Sequence, residues 1–91
     1  MYHKHYTKQF QKSFNKILSS GKVKRIEVES VVDILSKGDK LPKSYQDHKL
    51  QGEYEGYHDC HIRGDLILIY NIEKDNLILV LIDLGSHSEL F

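Results

Sequence analysis

Two apolar runs dominate the second half of the sequence: DLILIYNI at residues 65–72 and NLILVLIDL at 76–84, parted only by Glu73, Lys74 and Asp75. Their Ile, Leu and Val content favours strands, and neither run approaches the length of a bilayer-spanning helix. A strand with one wet face alternates apolar and polar residues. These runs do not alternate, so both of their faces need cover and they are expected as central strands. The short polar spacer makes them a hairpin. The rest of the chain has to supply what covers it.

YHDCHIR at 57–63 alternates, with Tyr57, Asp59, His61 and Arg63 on one side and His58, Cys60 and Ile62 on the other. That pattern predicts a further strand. Phe10, Phe14, Ile17 and Leu18 recur at helical spacing between Thr7, an N-cap residue type, and Gly21. Lys8, Lys12 and Lys16 step by four along a different side of the same helix. A second helix is expected over 24–38, carried by Ile26, Val28, Val31, Val32, Ile34 and Leu35 and stopped at Gly38. The opening YHKHY reads as a short strand. The fold class is therefore α+β: a short N-terminal strand, a two-helix unit, then a mostly antiparallel sheet. Ninety-one residues suit one core, so a single domain over 1–91 is expected.

Acidic and basic residues balance at thirteen each, but unevenly along the chain. Residues 1–49 hold eleven Lys and Arg against five acids, whereas residues 50–91 hold two against eight. Such a molecule can present a basic face to an RNA backbone while staying neutral as a whole. A single cysteine, Cys60, excludes an intramolecular disulfide and suits a reducing compartment. The opening MYHKHYTKQF lacks the apolar core of an export signal. A cytoplasmic protein with no membrane association is expected. No Walker loop or GxSxG motif is present, and no small-molecule cofactor is called for.

Six histidines is a high count for this length, and His48, His58, His61 and His87 fall in the second half. In DCHIRGD, Asp59, His61 and Asp65 share strand parity if the strand runs on regularly past Gly64, with Arg63 near them. HDCH offers zinc-ligand types, but His58 and Cys60 face away from His61, so one strand cannot chelate one ion with them and no metal site is expected. Cys60 lies on an apolar face and reads as inert packing, not as a nucleophile. Acid–base cleavage of RNA needs no metal: two imidazoles can trade protons near neutrality, one at the 2′-hydroxyl and one at the leaving 5′-oxygen.

Read together, QDHKLQGEYEGYHDCHIRGDLILIY and LGSHSELF resemble the YafQ-like branch of the RelE superfamily, the messenger-RNA interferases of bacterial type II toxin–antitoxin pairs. The family pattern runs approximately D-H-x-L-x-G, then G-[YF]-x-[DE]-x-H-[IV]-x-P-D-x-[IL]-L-[IV]-Y, then G-[ST]-H-x-x-L-F. Asp47, His48, Gly56, Tyr57, Asp59, His61, Asp65, Tyr70, Gly85, His87, Leu90 and Phe91 match it, across most of residues 46–91. Residues 1–45 agree only in layout and basic character. Gly64 departs from the family's usual Pro, and Leu66 from the Trp of its best-known member.

The resemblance implies a RelE-like fold and a metal-independent endoribonuclease acting on messenger RNA on the 70S ribosome, held in check by a cognate antitoxin. It carries catalytic roles to His48, His61, Asp65 and His87, with Asp59 beside them and Phe91 stacking on a base. Arg63 and the lysines Lys8, Lys12 and Lys16 are the further RNA-contact candidates. His3, His5 and His58 match no family site and read as surface or packing residues. Two other readings remain open: a catalytically weak relative kept for antitoxin binding and promoter control, and a metal-dependent hydrolase using the histidines.

Overall fold

The computed structural model describes residues 1–52 and 55–91. In chain order the elements are β1 (His3–Tyr6), α1 (Lys8–Ser20), α2 (Arg25–Ser36), a 3-10 turn (Lys43–Tyr45), β2 (His48–Lys49), β3 (His58–Arg63), β4 (Leu66–Glu73), β5 (Ile78–Ser86) and the single helical turn α3 (His87–Leu90). The two apolar runs form β4 and β5. They pair antiparallel and occupy the middle of a sheet ordered β1-β5-β4-β3-β2 among the described residues. Neighbouring pairs are antiparallel except β1 with β5, which run parallel with His3 opposite Ile78.

The helices cover one face of this sheet. Phe10 and Phe14 of α1 and Val28, Val31, Val32 and Leu35 of α2 form one buried cluster with Cys60, Leu68, Tyr70, Leu79, Leu81 and Leu84. Ile67 and Ile69 have the opposite parity and lie outside that cluster, yet they are equally inaccessible. The second face is therefore also covered at this point, as the lack of alternation requires.

Helix α1 begins where the sequence places it. Thr7 Oγ1 accepts from Phe10 N–H, a cap worth about 1 kcal/mol. The same hydroxyl donates to the carbonyls of Leu81 and Ile82, at 2.9 Å each, and ties the helix start to β5. Two irregularities reset the strand parity. Ile82 is an extra residue in β5, because Tyr70 faces Leu81 while the adjacent Ile69 faces Asp83. This lets Leu81 and Leu84, three apart, both reach the helix side. A second shift lies between His61 and Arg63 in β3. No helix among the described residues is long and apolar enough to cross a membrane.

Candidate active site

The site is assembled on the sheet face away from α1 and α2. His48 lies directly opposite Asp59 across the β2–β3 ladder, and His61 follows two residues along β3 on the same face. His48 Nδ1 donates to the Gln46 carbonyl at 2.8 Å, which leaves Nε2 facing the Asp59 carboxylate at 3.0 Å. That contact has ion-pair distance without hydrogen-bond alignment: Asp59 Oδ1 is buried and has no hydrogen-bond partner among the described residues. Asp59 is only 3% exposed. Burial pushes its carboxyl above the usual aspartate range, against the pull of His48, and the charges of His61, Asp47 and His87 also reach it. His48 is thus in contact with one buried carboxylate, and the charges of two further imidazoles reach it.

The surroundings hold these rings in place. Tyr70, on the covered face of β4, donates its hydroxyl to Asp47 at 2.5 Å and so pins the residue before His48. Burial and that acceptor both push the phenol's pKa up, so it stays a donor. His61 Nδ1 lies 3.3 Å from the Gly64 carbonyl, which anchors the ring to the β3–β4 turn. Gly64 enters that turn at φ 54°, in the left-handed region that glycine takes without steric cost.

His87 opens α3. A four-residue helix has no stability of its own, and three contacts fold it back. Ser86 Oγ accepts from Glu89 N–H at 3.3 Å, and Glu89 Oε1 accepts from Ser86 N–H at 2.9 Å, a reciprocal cap. Those bonds from Ser86 hold the Glu89 carboxyl below its usual range. Leu90 lies over Gly85, where a Cβ would sit 3.5 Å from its side chain and 3.4 Å from Glu89 Oε1. Since Gly85 pairs with Ile67, this turn is part of the cover on the second face. Lys16 Nζ reaches Glu89 Oε2 at 3.8 Å and links the cationic side of α1 to α3. Phe91, 48% exposed, lies with its ring 5.0 Å from that of His87.

The predicted residues divide accordingly. His48, Asp59 and His61 share one face of the sheet, the charge of His87 reaches Asp59, and Phe91 lies against the His87 ring. Asp65 is exposed on the β3–β4 turn and lines a cavity with Lys16 and Glu89. Lys12 and Lys16 border α3, whereas Lys8 lies farther back on α1. Arg63 departs from the expected parity. The shift after His61 turns it to the helix side, where its guanidinium pairs with Glu27 of α2 at 2.9 Å. Cys60 is fully buried and its thiol pKa is raised by burial, as inert packing requires. His58 stacks on Tyr70 at 5.3 Å. Sequence reasoning gave no role to Asp47, Ser86 or Glu89. The S-x-x-E spacing of 86–89 was a legible capping signal; nothing local announced the bond from Tyr70 to Asp47.

A family model described as a bacterial toxin of type II toxin–antitoxin system, YafQ, matches residues 2–91. A stretch of 51 residues is 47% identical to the mRNA interferase toxin YafQ of Escherichia coli K12, covering 56% of this chain and 53% of that protein. The chain thus spans about half the length of that curated relative. A copper-bound mutant toxin from Helicobacter pylori is similar over the whole of both chains, with a TM-score of 0.93 and 37% identity. The toxin of an E. coli DinJ–YafQ complex aligns over 100% of this chain and 99% of its own, with a TM-score of 0.84 and 29% identity.

Proposed function

Because the chain belongs to the YafQ family of bacterial type II toxin–antitoxin toxins, we propose that it is an endoribonuclease that cuts messenger RNA on the ribosome, without a metal, by 2′-hydroxyl attack. The observation that carries this reading is the contact of His48 with the buried Asp59, on the sheet face that also carries His61 and within reach of the charge of His87. The E. coli relative named an mRNA interferase and the family match support the substrate class.

The His48 geometry suits a general base. With Nδ1–H donated to the Gln46 carbonyl, the lone pair of the neutral ring is on Nε2, beside Asp59, and that nitrogen takes the 2′-hydroxyl proton. The imidazolium so formed is met by the Asp59 carboxylate at 3.0 Å, which stabilises the charge as it develops. The 2′-oxygen bonds to phosphorus, the bond from phosphorus to the 5′-oxygen breaks, and His87 gives that oxygen a proton. The products are a 2′,3′-cyclic phosphate and a 5′-hydroxyl. His61, with Nδ1 turned to Gly64, presents Nε2 to the phosphate, and Asp65 orients the strand at the turn. Phe91 extends the His87 ring contact to a base, an interaction worth about 1–3 kcal/mol.

The copper-bound relative makes metal-assisted hydrolysis the rival chemistry. Among the described residues no group of three or more His, Cys, Asp or Glu is placed to hold one ion, and two imidazoles with opposed proton roles suffice. Cleavage that persists in EDTA is the expected result; cleavage that stops and returns with added metal removes the metal-free mechanism. In keeping with the DinJ–YafQ complexes, the chain is expected to be silenced by a cognate antitoxin in the cytoplasm. The deciding experiment expresses the chain alone and with that antitoxin, then maps new 5′ ends in cellular RNA. His87→Ala is expected to abolish those ends. Equal ends from wild type and variant refute the assignment of His87.

A further inference from the structure

Gln46 stands two residues before His48, and its backbone is left-handed, at φ 51° and ψ 41°. It closes the 3-10 turn of Lys43–Tyr45, in which Tyr45 N–H donates to the Pro42 carbonyl and Gln46 N–H to the Lys43 carbonyl, both at 3.0 Å. Residues with a Cβ rarely take this conformation, whereas glycine takes it without steric cost. The Gln46 side chain is exposed. The contact with His48 is made by the main-chain carbonyl instead.

The direction of that carbonyl accounts for the unusual backbone. The angle ψ sets where a carbonyl points, so an extended or right-handed residue at 46 turns it away from the ring. In the left-handed form it accepts from His48 Nδ1 at 2.8 Å. On the other side of the same ring, Asp59 Oδ1 lies 3.0 Å from Nε2. A neutral imidazole has one proton for these two acceptors. Gln46 takes it, because its carbonyl is aligned for a hydrogen bond and Asp59 Oδ1 is not. The residue between them secures the choice: Asp47 accepts from the buried Tyr70 hydroxyl, which ties this stretch of chain to β4. We propose that Gln46 is a positioning residue acting through its main chain, and that its left-handed turn holds neutral His48 as the Nδ1–H tautomer. Free histidine in water favours the opposite tautomer, so the fold imposes this one. The tautomer is a property of the folded chain; its consequence for cleavage rests on the ribonuclease reading, in which Nε2 takes the 2′-hydroxyl proton.

Substitutions at this exposed side chain separate backbone from side-chain effects. Gln46→Gly and Gln46→Asn suit a positive φ, whereas Gln46→Val, branched at Cβ, opposes it. Long-range proton–nitrogen NMR spectra of the intact chain report which ring nitrogen carries the proton. Wild type, Gln46→Gly and Gln46→Asn are expected to carry the His48 proton on Nδ1, and Gln46→Val to carry it on Nε2, facing Asp59. The His61 ring, anchored at Gly64, reports in the same spectra that the fold is intact. Gln46→Ala opposes φ more mildly and is expected to show both tautomers; it takes the place of Gln46→Val if that chain does not fold. A neutral wild-type ring protonated on Nε2 overturns the proposal, and so does Gln46→Val with the proton still on Nδ1. Single-turnover cleavage in Gln46→Val is expected to fall by about 10²-fold relative to Gln46→Gly, with equal binding of a 2′-O-methylated RNA. If wild type holds the Nδ1–H tautomer and cuts no RNA, the positioning role stands and the nuclease reading falls. If it cuts RNA with the proton on Nε2, the positioning role falls and the nuclease reading stands.

Discussion

Asp59 shows how one residue sets the terms of the site. A carboxylate that has lost most of its water is held ionised only by cations beside it, and burial here already lifts its pKa. The consequence for stability has a definite sign. Between the usual aspartate pKa and the raised one, the folded chain takes up a proton that the unfolded chain does not. Acidification through that window therefore stabilises the fold, and the stabilisation is lost as pH rises through the folded pKa. Denaturant titrations of wild type and Asp59→Asn from about pH 7 down to about pH 4 should show the wild type gaining relative to the variant; parallel curves contradict a raised pKa. In the same variant the imidazolium of His48 loses its partner, so cleavage is expected to fall by about 10²-fold or more. On the proposed mechanism His87→Ala removes the proton donor and is expected to lose about 10²- to 10⁴-fold, measured as single-turnover cleavage of a defined RNA.

At the scale of elements, the packing of α3 on β5 decides whether His87 is aimed. Gly85 beneath it has room for a methyl group, because an added Cβ would only touch Leu90 and Glu89 at ordinary contact distance. A branched side chain has no such room. Gly85→Ala is expected to melt and cut like wild type, whereas Gly85→Val should cost about 1–3 kcal/mol and depress cleavage by lifting the turn. Thermal melts with cleavage rates distinguish the two. The same elements show how far the sequence could be read. The hairpin, both long helices, the cap at Thr7 and the burial of Cys60 follow from periodicity and residue type. What escaped was wherever an extra residue broke the alternation. The shift after His61 moved Arg63 from the site face to Glu27, and no pattern in HIRGD distinguishes a straight strand from a bulged one. The conversion of HSEL into a helical turn was also missed, although Ser86 and Glu89 carry the spacing of a reciprocal cap. The meeting of His48 with Asp59 depends on strand pairing, which composition does not encode; the motif resemblance, not periodicity, singled out those residues.

Across the whole molecule, the groups proposed for catalysis and the cations proposed for RNA contact come from two lengths of chain. The imidazoles, Asp59, Asp65 and Phe91 come from residues 48–91, while the cations of α1 come from the lysine-rich first half. Ribosome binding is accordingly expected to weaken steeply with salt, and Lys12→Gln with Lys16→Gln should flatten that dependence without moving the pH profile of cleavage. Binding indifferent to salt, with no cleavage, instead favours a module retained for antitoxin contact, which the overall charge balance would suit. The parallel pairing of β1 with β5 carries a further consequence. His3 meets Ile78 only after both helices have been looped out between them, so this is among the most distant contacts the chain must close. The β4–β5 hairpin is local and offers the apolar surface on which α1 and α2 dock. Folding should then nucleate at the hairpin and add β1 late: substitutions at Leu68 or Leu81 slow refolding, whereas loosening β1 chiefly hastens unfolding.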